Sequence, residues 1–412
     1  MKIIIAGGGI GGLVAAISLH RIGMEVTVFE SVDELKPLGV GINLLPHCVR
    51  VLTYLGLLEK VEAISVETKE LIYANRYGQS FWTEPRGRFA GYRWPQFSIH
   101  RGKFQVLLWS EAIRVLGANR LRTNCHLSAI EQDDQKVRAT FVNRSGAIVT
   151  IEEAELLIGA DGINSELRKW LYPDEGGVVY SGNVLYRGTA RMKPFLSGAT
   201  MAMIGSLRQK MVVYPISNEV DAAGHQLVNW VANLHEGDGA QLTVRDWNRQ
   251  VGKEKLLNLY KTWRFDWIDI PDMIEKTSSG IFEFPMSDRN PLDRWSFGHV
   301  TLLGDAAHPM YPIGSNGASQ AILDADALVR ALQAETNTVK ALEQYDAERV
   351  PATTKVVLQN RQKGPDFIMD MMEDLFPDGF SEGQIPHEDL AQVMNHYKEI
   401  AGFDIDTLNA KS

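Results

Sequence analysis

The 412-residue sequence has only two cysteines, Cys48 and Cys125, far apart and without a CxxC partner. That spacing argues against a disulfide framework or a zinc site and leaves a reducing cytoplasm as the expected compartment. No run of about 20 apolar residues occurs, so neither a spanning helix nor a membrane partner is expected. No basic leader precedes the first apolar stretch, which is short and broken by glycine, so no signal peptide is expected. Basic residues are outnumbered, 42 Lys and Arg against 51 Asp and Glu, for a net charge of -9. A general nucleic-acid binder needs a basic face, so nucleic acid is not an expected partner. His47, His100 and His308 show no metal spacing and are expected to be structural; His308 is the least ordinary of them. No nucleophile triad, internal repeat or low-complexity tract is present. The remaining composition, 45% hydrophobic and 23% charged, is that of a globular chain long enough for two or three structural units around a large core.

What is present begins at the first residue. MKIIIAGGGIGG places an apolar strand directly before Gly7, Gly9 and Gly12, and GGLVAAISLHRIG follows with helical spacing. In such a strand–glycine–helix unit the first glycine allows a tight turn and the second lets backbone approach a pyrophosphate. The third lets the helix pack on the strand, and the helix N-terminus offers free N–H groups. An acid should end the next strand to take ribose hydroxyls, and Glu30 ends VTVFE. Glu30 disfavours a 2′-phosphate, so NADP is disfavoured at this loop; FAD and NAD both remain open.

Further along, PHCVRVLTYLG and HRGKFQVLLWSEAIRVLG read as helices, and short strands lead to AELLIGADG. From Val178 to Phe284 polar and apolar residues alternate with many aromatics, as in VLYRGTARM and HQLVNWVANL. This predicts a largely antiparallel sheet with a helical insert near Leu256–Trp263. A buried strand follows in GHVTLLGDAAH, then a helix from Gly317, then a helical tail broken around PDGFSEGQIP.

Two later segments repeat the strand-to-helix logic. LLIGADGINSELR carries Asp161–Gly162, and GHVTLLGDAAHPMYPIGSNGASQAILDA carries Gly304–Asp305. An acid at a strand's carboxyl end can accept from sugar or ribityl hydroxyls. Small residues at a helix start suit negative charge developing on a reduced flavin ring. The GxGxxG, DG and GD segments, in this order, resemble the single-component FAD-dependent aromatic hydroxylases, the family of p-hydroxybenzoate and salicylate hydroxylases. The resemblance covers about residues 1–360. PLGVGINLLP, QFSIHRGKFQ, YPIS and LVNWV look most like the phenazine-hydroxylating branch of that family.

The resemblance implies an α/β plus antiparallel β fold: a Rossmann-like FAD-binding domain, an interleaved β-sheet substrate domain and C-terminal helices. The FAD-binding domain would take residues 1–70, 97–177 and 285–360, the substrate domain 71–96 and 178–284, and the helical segment 361–412. By the same resemblance Gly7, Gly9, Ile10, Gly11 and Gly12 would form the pyrophosphate loop and Glu30 would hold ribose. Val40, Gly41 and Ile42 would lie along the isoalloxazine, and Arg101 would pair with phosphate or ribityl oxygens. Asp161 and Asp305 would support the cofactor, and Gly317 and Ala318 would face the flavin's pyrimidine edge. Some relatives carry arginines in the segment matching LKPLGVGIN; here only Lys36 is basic, which leaves nicotinamide docking there in question.

A single GxGxxG means NADH or NADPH must dock transiently over the flavin. The implied reaction uses O₂ through a C4a-hydroperoxyflavin to hydroxylate a small aromatic molecule, bicyclic, tricyclic or heteroaromatic, in a monomer or homodimer. Pocket candidates on the aromatic-rich sheet are Tyr186, Arg187, Met203, Tyr214 and Trp230, with Tyr311 and Pro312 beside the GD motif. Arg187 suits either a substrate carboxylate or the flavin edge. Epoxidation or ring-expanding oxygen insertion on the same flavin, and a non-catalytic dinucleotide-binding protein, are the competing readings.

Overall fold

The computed structural model describes residues 1–36, 39–237, 249–381 and 383–410; the middle of the LKPLGVGIN segment, residues 37–38, lies outside them. The opening strand Lys2–Ala6 is buried from Ile3 onward. It pairs in parallel with Glu25–Phe29 on one side and Leu156–Gly159 on the other. Val300–Leu302 and Leu121–Arg122 complete a five-stranded parallel sheet. Strands covered on both faces need apolar residues at every position, which is why KIIIA and LLIG show no alternation. Gly7 has φ +113°, and a methyl group there would overlap the Ala160 carbonyl. Helix Ile10–Arg21 therefore leaves the sheet in close contact with it. Helix Gly317–Ala334 packs on that helix where Gly11 leaves room for Leu303 and Ala321.

The second unit is an eight-stranded sheet. Its central strands are Val179–Met192, Gln226–His235, Gln209–Val220 and Thr200–Ser206, flanked by Ile281–Asp288 on one side and Glu70–Ala74 with Ser80–Pro85 on the other. All pairs are antiparallel except Thr200–Ser206 with Glu70–Ala74. Residues 70–85 thus join strands more than a hundred positions later in the chain.

Both faces of this sheet are buried, and strand alternation divides its side chains between them. One face packs under the short helices Glu254–Leu259 and Ile270–Glu275, through Leu256, Met273 and Ile274. The other packs toward the parallel-sheet unit and against the tail, whose helices are Phe367–Leu375, His387–Ala401 and Ile405–Ala410. Ile368, Met369, Met372, Leu390 and Met394 from that tail join Leu71, Tyr73 and Met201 of the sheet in one cluster. The tail therefore completes the core.

The alternation corrects two expectations. Tyr186 and Trp230 were expected in the pocket, but both point to the face away from the dinucleotide loop. Tyr186 accepts a hydrogen bond from Lys255 (2.8 Å). Trp230 is sealed from solvent, packs against Gly188 and donates from Nε1 to Thr277 (2.9 Å). Their neighbours Arg187 and Val231 take the opposite face, so an aromatic-rich strand gave the right strand and the wrong side. Trp230→Phe is expected to lower the unfolding free energy by about 1–3 kcal/mol, from lost volume and a lost hydrogen bond. Urea denaturation reads this. Weakened ligand affinity with unchanged stability would place Trp230 back in the site.

Candidate active site

One cleft of about 1540 Å³, counting the solvent at its mouth, runs between the two units. At one end it is lined by Gly9, Ile10, Gly11 and Gly12, with Arg101 and Asp305. Gly41, Ile42, Gly317 and Ala318 line its middle, beside Pro312. Arg187, Met203 and Tyr214 of the eight-stranded sheet face these residues across the cleft, Tyr214 directly against Gly41. Fourteen expected residues are thereby gathered around a single space.

Seven are not on its wall. Gly7 lies beneath it as the turn that permits the close approach to Ala160. Glu30 reaches the loop from below and accepts from the amide of Gly8 (2.7 Å) and of Val32 (3.0 Å). Val40 turns its side chain inward, and its carbonyl accepts from the amide of Arg101 (3.0 Å). Asp161 accepts from the amide of Glu166 at the start of helix Glu166–Leu171 (2.8 Å). Its second oxygen is buried without a partner, and burial pushes the carboxyl's pKa up. Tyr186 and Trp230 face away, as described. Tyr311 packs into the cluster under the tail, donating to the carbonyl of Val179 (3.3 Å). Pro312, next in the chain, takes the cleft-facing position instead.

The residues present fit FAD on grounds of local geometry. Gly9 and Gly317 border open space: an added methyl would meet nothing nearer than Ala160 O at 4.0 Å and Met310 Cγ at 3.8 Å. Helices Ile10–Arg21 and Gly317–Ala334 both begin at the cleft, and neither has a side-chain cap. Each leaves its first N–H groups and the positive end of its dipole for a ligand. Arg101 opens helix Arg101–Leu116 and has no carboxylate partner among the described residues. Two anion-favouring helix ends and a free guanidinium match a pyrophosphate at one end and a ring that gains negative charge at the other.

The Gly304–Asp305 turn is held by a buried network that the motif alone does not reveal. Asp324, on the helix that starts at Gly317, accepts from the amide of Gly304 (3.0 Å) and lies 2.5 Å from His308 Nε2. Its other oxygen accepts from Arg349 Nε (2.7 Å). Burial alone pushes the Asp324 carboxyl up, but His308 and Arg349 more than reverse this and hold it below the usual carboxylate range. His308 is thus structural. It ties the turn that carries Asp305 to the helix that carries Gly317 and Ala318.

The sheet side is apolar with a few fixed charges. Leu185, Met201, Val212, Val231 and Met286 join Met203 and Tyr214 on its wall. The Arg187 guanidinium lies 5.9 Å from the Phe284 ring centre; its Nε is buried without a partner, and it makes no ion pair among the described residues. Burial pushes its pKa down, and Arg101 adds to this while Tyr214 opposes it. Six polar wall residues were not anticipated: Asn43, Ser315 and Asn316 on the dinucleotide side, and Lys210, Asn233 and Asp366 on the sheet side. Counting by two from Tyr214 leads to Val212 and Lys210, and from Val231 to Asn233, so alternation held that signal. Asp366 carries no such signal, because it arrives from the tail.

Asp324→Asn is expected to leave Arg349 buried without its charge partner and to release Gly304. The unfolding free energy should fall by about 3–5 kcal/mol, and flavin should be lost on dilution at concentrations where the parent retains it. Retained stability and retained flavin would show that the network does not hold the turn.

Comparison with known proteins agrees with this geometry. Residues 1–360 match the family described as FAD binding domain. The chain is 42% identical over 366 residues to the phenazine 1,6-dicarboxylic acid hydroxylase PhzS of Lysobacter antibioticus, spanning 88% of this chain and 89% of that protein. It is 30% identical to the 3-hydroxybenzoate 6-hydroxylase of Polaromonas naphthalenivorans, over 94% and 93% of the two chains. Among solved structures, HpxO of Klebsiella pneumoniae, complexed with FAD and uric acid, superposes with a TM-score of 0.74 at 22% identity, covering 99% and 96% of the chains. A cleft built for FAD, and relatives of this identity along nearly the whole chain, lead to one assignment: the chain belongs to the family of FAD-dependent aromatic hydroxylases, monooxygenases that use FAD with NADH or NADPH and O₂.

Proposed function

We propose that this monooxygenase hydroxylates an extended aromatic carboxylic acid. The observation that carries the reading is the Arg187 guanidinium, set in an apolar wall without an acidic partner. A half-buried cation that faces the cleft with no counter-ion favours an anionic ligand, and a carboxylate matches the planar fork of arginine. The flat apolar surfaces of Leu185, Val212 and Val231 suit an aromatic ring system.

In this reading the amides of Gly9–Gly12 hold the FAD pyrophosphate, with Gly7 as the turn below. Glu30 takes the adenosine ribose by shifting from the Gly8 amide. Arg101 and Asp305 hold the ribityl and phosphate oxygens, and Asp161 braces the DG turn behind them. The backbone of Val40, Gly41 and Ile42 follows the ring, and the amides of Gly317 and Ala318 face its pyrimidine edge. FAD, when bound, supplies hydride acceptance from the nicotinamide and activation of O₂. The chain's own part is to orient the aromatic over that ring, with Pro312 at its margin and Tyr214 and Met203 on its flank, and to keep water out. Among relatives, the PhzS protein of L. antibioticus is named for a phenazine dicarboxylic acid, which supports a fused-ring substrate here.

The experiment is anaerobic stopped-flow reduction of the holoprotein by NADH and by NADPH, alone and with matched aromatic carboxylates and carboxamides. One carboxylate is expected to accelerate flavin reduction by an order of magnitude or more, with its carboxamide much weaker. Equal rates with and without every aromatic would overturn the reading. Arg187→Met is expected to raise KM for that carboxylate roughly 10- to 100-fold, the loss of one charged hydrogen-bonding partner, with flavin still bound. A fall in kcat at unchanged KM would instead assign Arg187 to the flavin edge.

A further inference from the structure

The sheet face of the pocket holds a second cation, and unlike Arg187 it is already paired. Lys210 Nζ lies 2.5 Å from Asp366 Oδ2, and both side chains are almost wholly buried, 7% and 1% exposed. The second oxygen of Asp366 accepts from Tyr73 Oη (3.4 Å). Beside them Asn233, 2% exposed and on the cleft wall, has an Oδ1 without a partner.

Sheet register fixes where this cluster sits. Lys210 pairs across strands with Asn233, two positions along from the Val212–Val231 pair and four from Tyr214–Asn229. At about 3.3 Å per residue, Lys210 lies about 13 Å along its strand from Tyr214. Tyr214 is the residue against Gly41, in the middle of the cleft. Arg187 pairs with Val231, so it lies one strand beyond the Val212–Val231 pair, on the side away from Lys210. Two strand spacings and two residues separate Arg187 from Lys210, about 12 Å between Cα atoms. The two cations therefore stand at opposite corners of one apolar sheet face.

Their electrical states differ. Arg187 offers an uncompensated positive charge. Lys210 and Asp366 cancel each other, and both oxygens of Asp366 already accept. What remains open at that corner is Lys210 N–H groups and the Asn233 amide, a set that suits a neutral oxygen substituent. A carboxylate placed there would share Lys210 with Asp366, leaving two negative charges on one cation in a site of low dielectric. We propose that the Lys210–Asp366 pair, with Asn233, is the specificity element at the flavin-remote end of the pocket, accepting a neutral hydrogen-bonding substituent and excluding a second carboxylate. This rests on the proposed function above, in which Arg187 takes the first carboxylate.

The test uses the oxidised holoprotein and titrates three probes by perturbation of the flavin absorbance: phenazine-1-carboxylic acid, phenazine-1,6-dicarboxylic acid and the monoamide of that diacid. Diacid and monoamide share one shape and differ by one charge. The parent is expected to bind the monoamide at least about tenfold more tightly than the diacid. Asp366→Asn, which keeps the side chain's shape and frees the Lys210 charge, is expected to shift that ratio at least about tenfold toward the diacid. A double variant, Lys210→Gln with Asp366→Asn, leaves neither charge buried alone and is expected to bring the two affinities within about threefold of each other. A parent that binds the diacid as well as the monoamide, or variants that move both probes equally, would overturn the far-end assignment while phenazine-1-carboxylic acid still binds. If none of the three perturbs the flavin of the parent, the assignment falls together with the function it rests on.

Discussion

The pocket depends on the joint at Gly41. Its amide donates to Asn229 Oδ1 at 2.6 Å, and a methyl group there would come within 2.8 Å of Tyr214, Ile216 and Asn229 together. Only a residue without a side chain lets the eight-stranded sheet settle this closely on the parallel-sheet unit. Gly41 is also cleft wall, so the same contact that docks the two layers sets the height of the space between them. Movement of either layer changes the distance between the floor of the cleft and the sheet above it. A close-packed interface of this kind is stiff, which suits a site whose task is to hold a ring at fixed distance from a cofactor.

Around that joint, backbone and buried charge share the work. The dinucleotide end relies on main-chain groups: the uncapped helix starts at Ile10 and Gly317 present amides that need no side chain and no proton. Their placement is secured from behind by ionised side chains. Glu30 fastens the first loop at Gly8, and Asp324 fastens the second at Gly304 while it joins His308 to Arg349. Each carboxylate is satisfied by several donors, the condition under which a buried charge is tolerated. At these two helix starts the ligand-facing groups are therefore neutral amides, and the carboxylates that fasten them lie one layer deeper, while Arg101 and Asp305 stand on the wall itself.

The sequence disclosed the first of these layers and, of the second, Glu30 but not Asp324 and its partners. Gly7–Gly12, Gly304–Asp305 and Gly317–Ala318 were legible because each is local: a strand end, a turn and a helix start within about a dozen residues. Arg187, Met203 and Tyr214 were legible as sheet residues of an aromatic-rich region. Tyr186 and Trp230 were misplaced because composition identifies a strand, whereas its facing is set by which neighbours dock on it. Both faces here are buried, so polarity gave no sign of which is the pocket. Tyr311 was misplaced by one position for a related reason, since its neighbour Pro312 takes the wall. Lys210–Asp366 joins residues 156 positions apart, and Asp324–Arg349 joins two helices. Tertiary pairs of this kind have no local pattern, and the tail that brings Asp366 lies beyond the segment where the motifs run.

The composition of the pocket also bears on how it selects. Met201, Met203, Met286 and Met310 line it. Methionine is flexible and polarisable, so such a wall adapts to ring systems of different outline and rejects few of them by shape. Apolar contacts discriminate weakly in any case: one methylene in a hydrophobic pocket is worth about 1–3 kcal/mol. A buried polar group that a ligand fails to match discriminates far more strongly, because it is left unpaired. On the sheet face of this pocket those groups are few and rigidly held: Arg187 at one corner, Lys210 and Asn233 at the other, with Asp366 pinned to Lys210 from the tail. Selectivity therefore resides in where a substrate carries charge more than in its size. The tail, by delivering one carboxylate to Lys210, sets how much negative charge the far corner will accept.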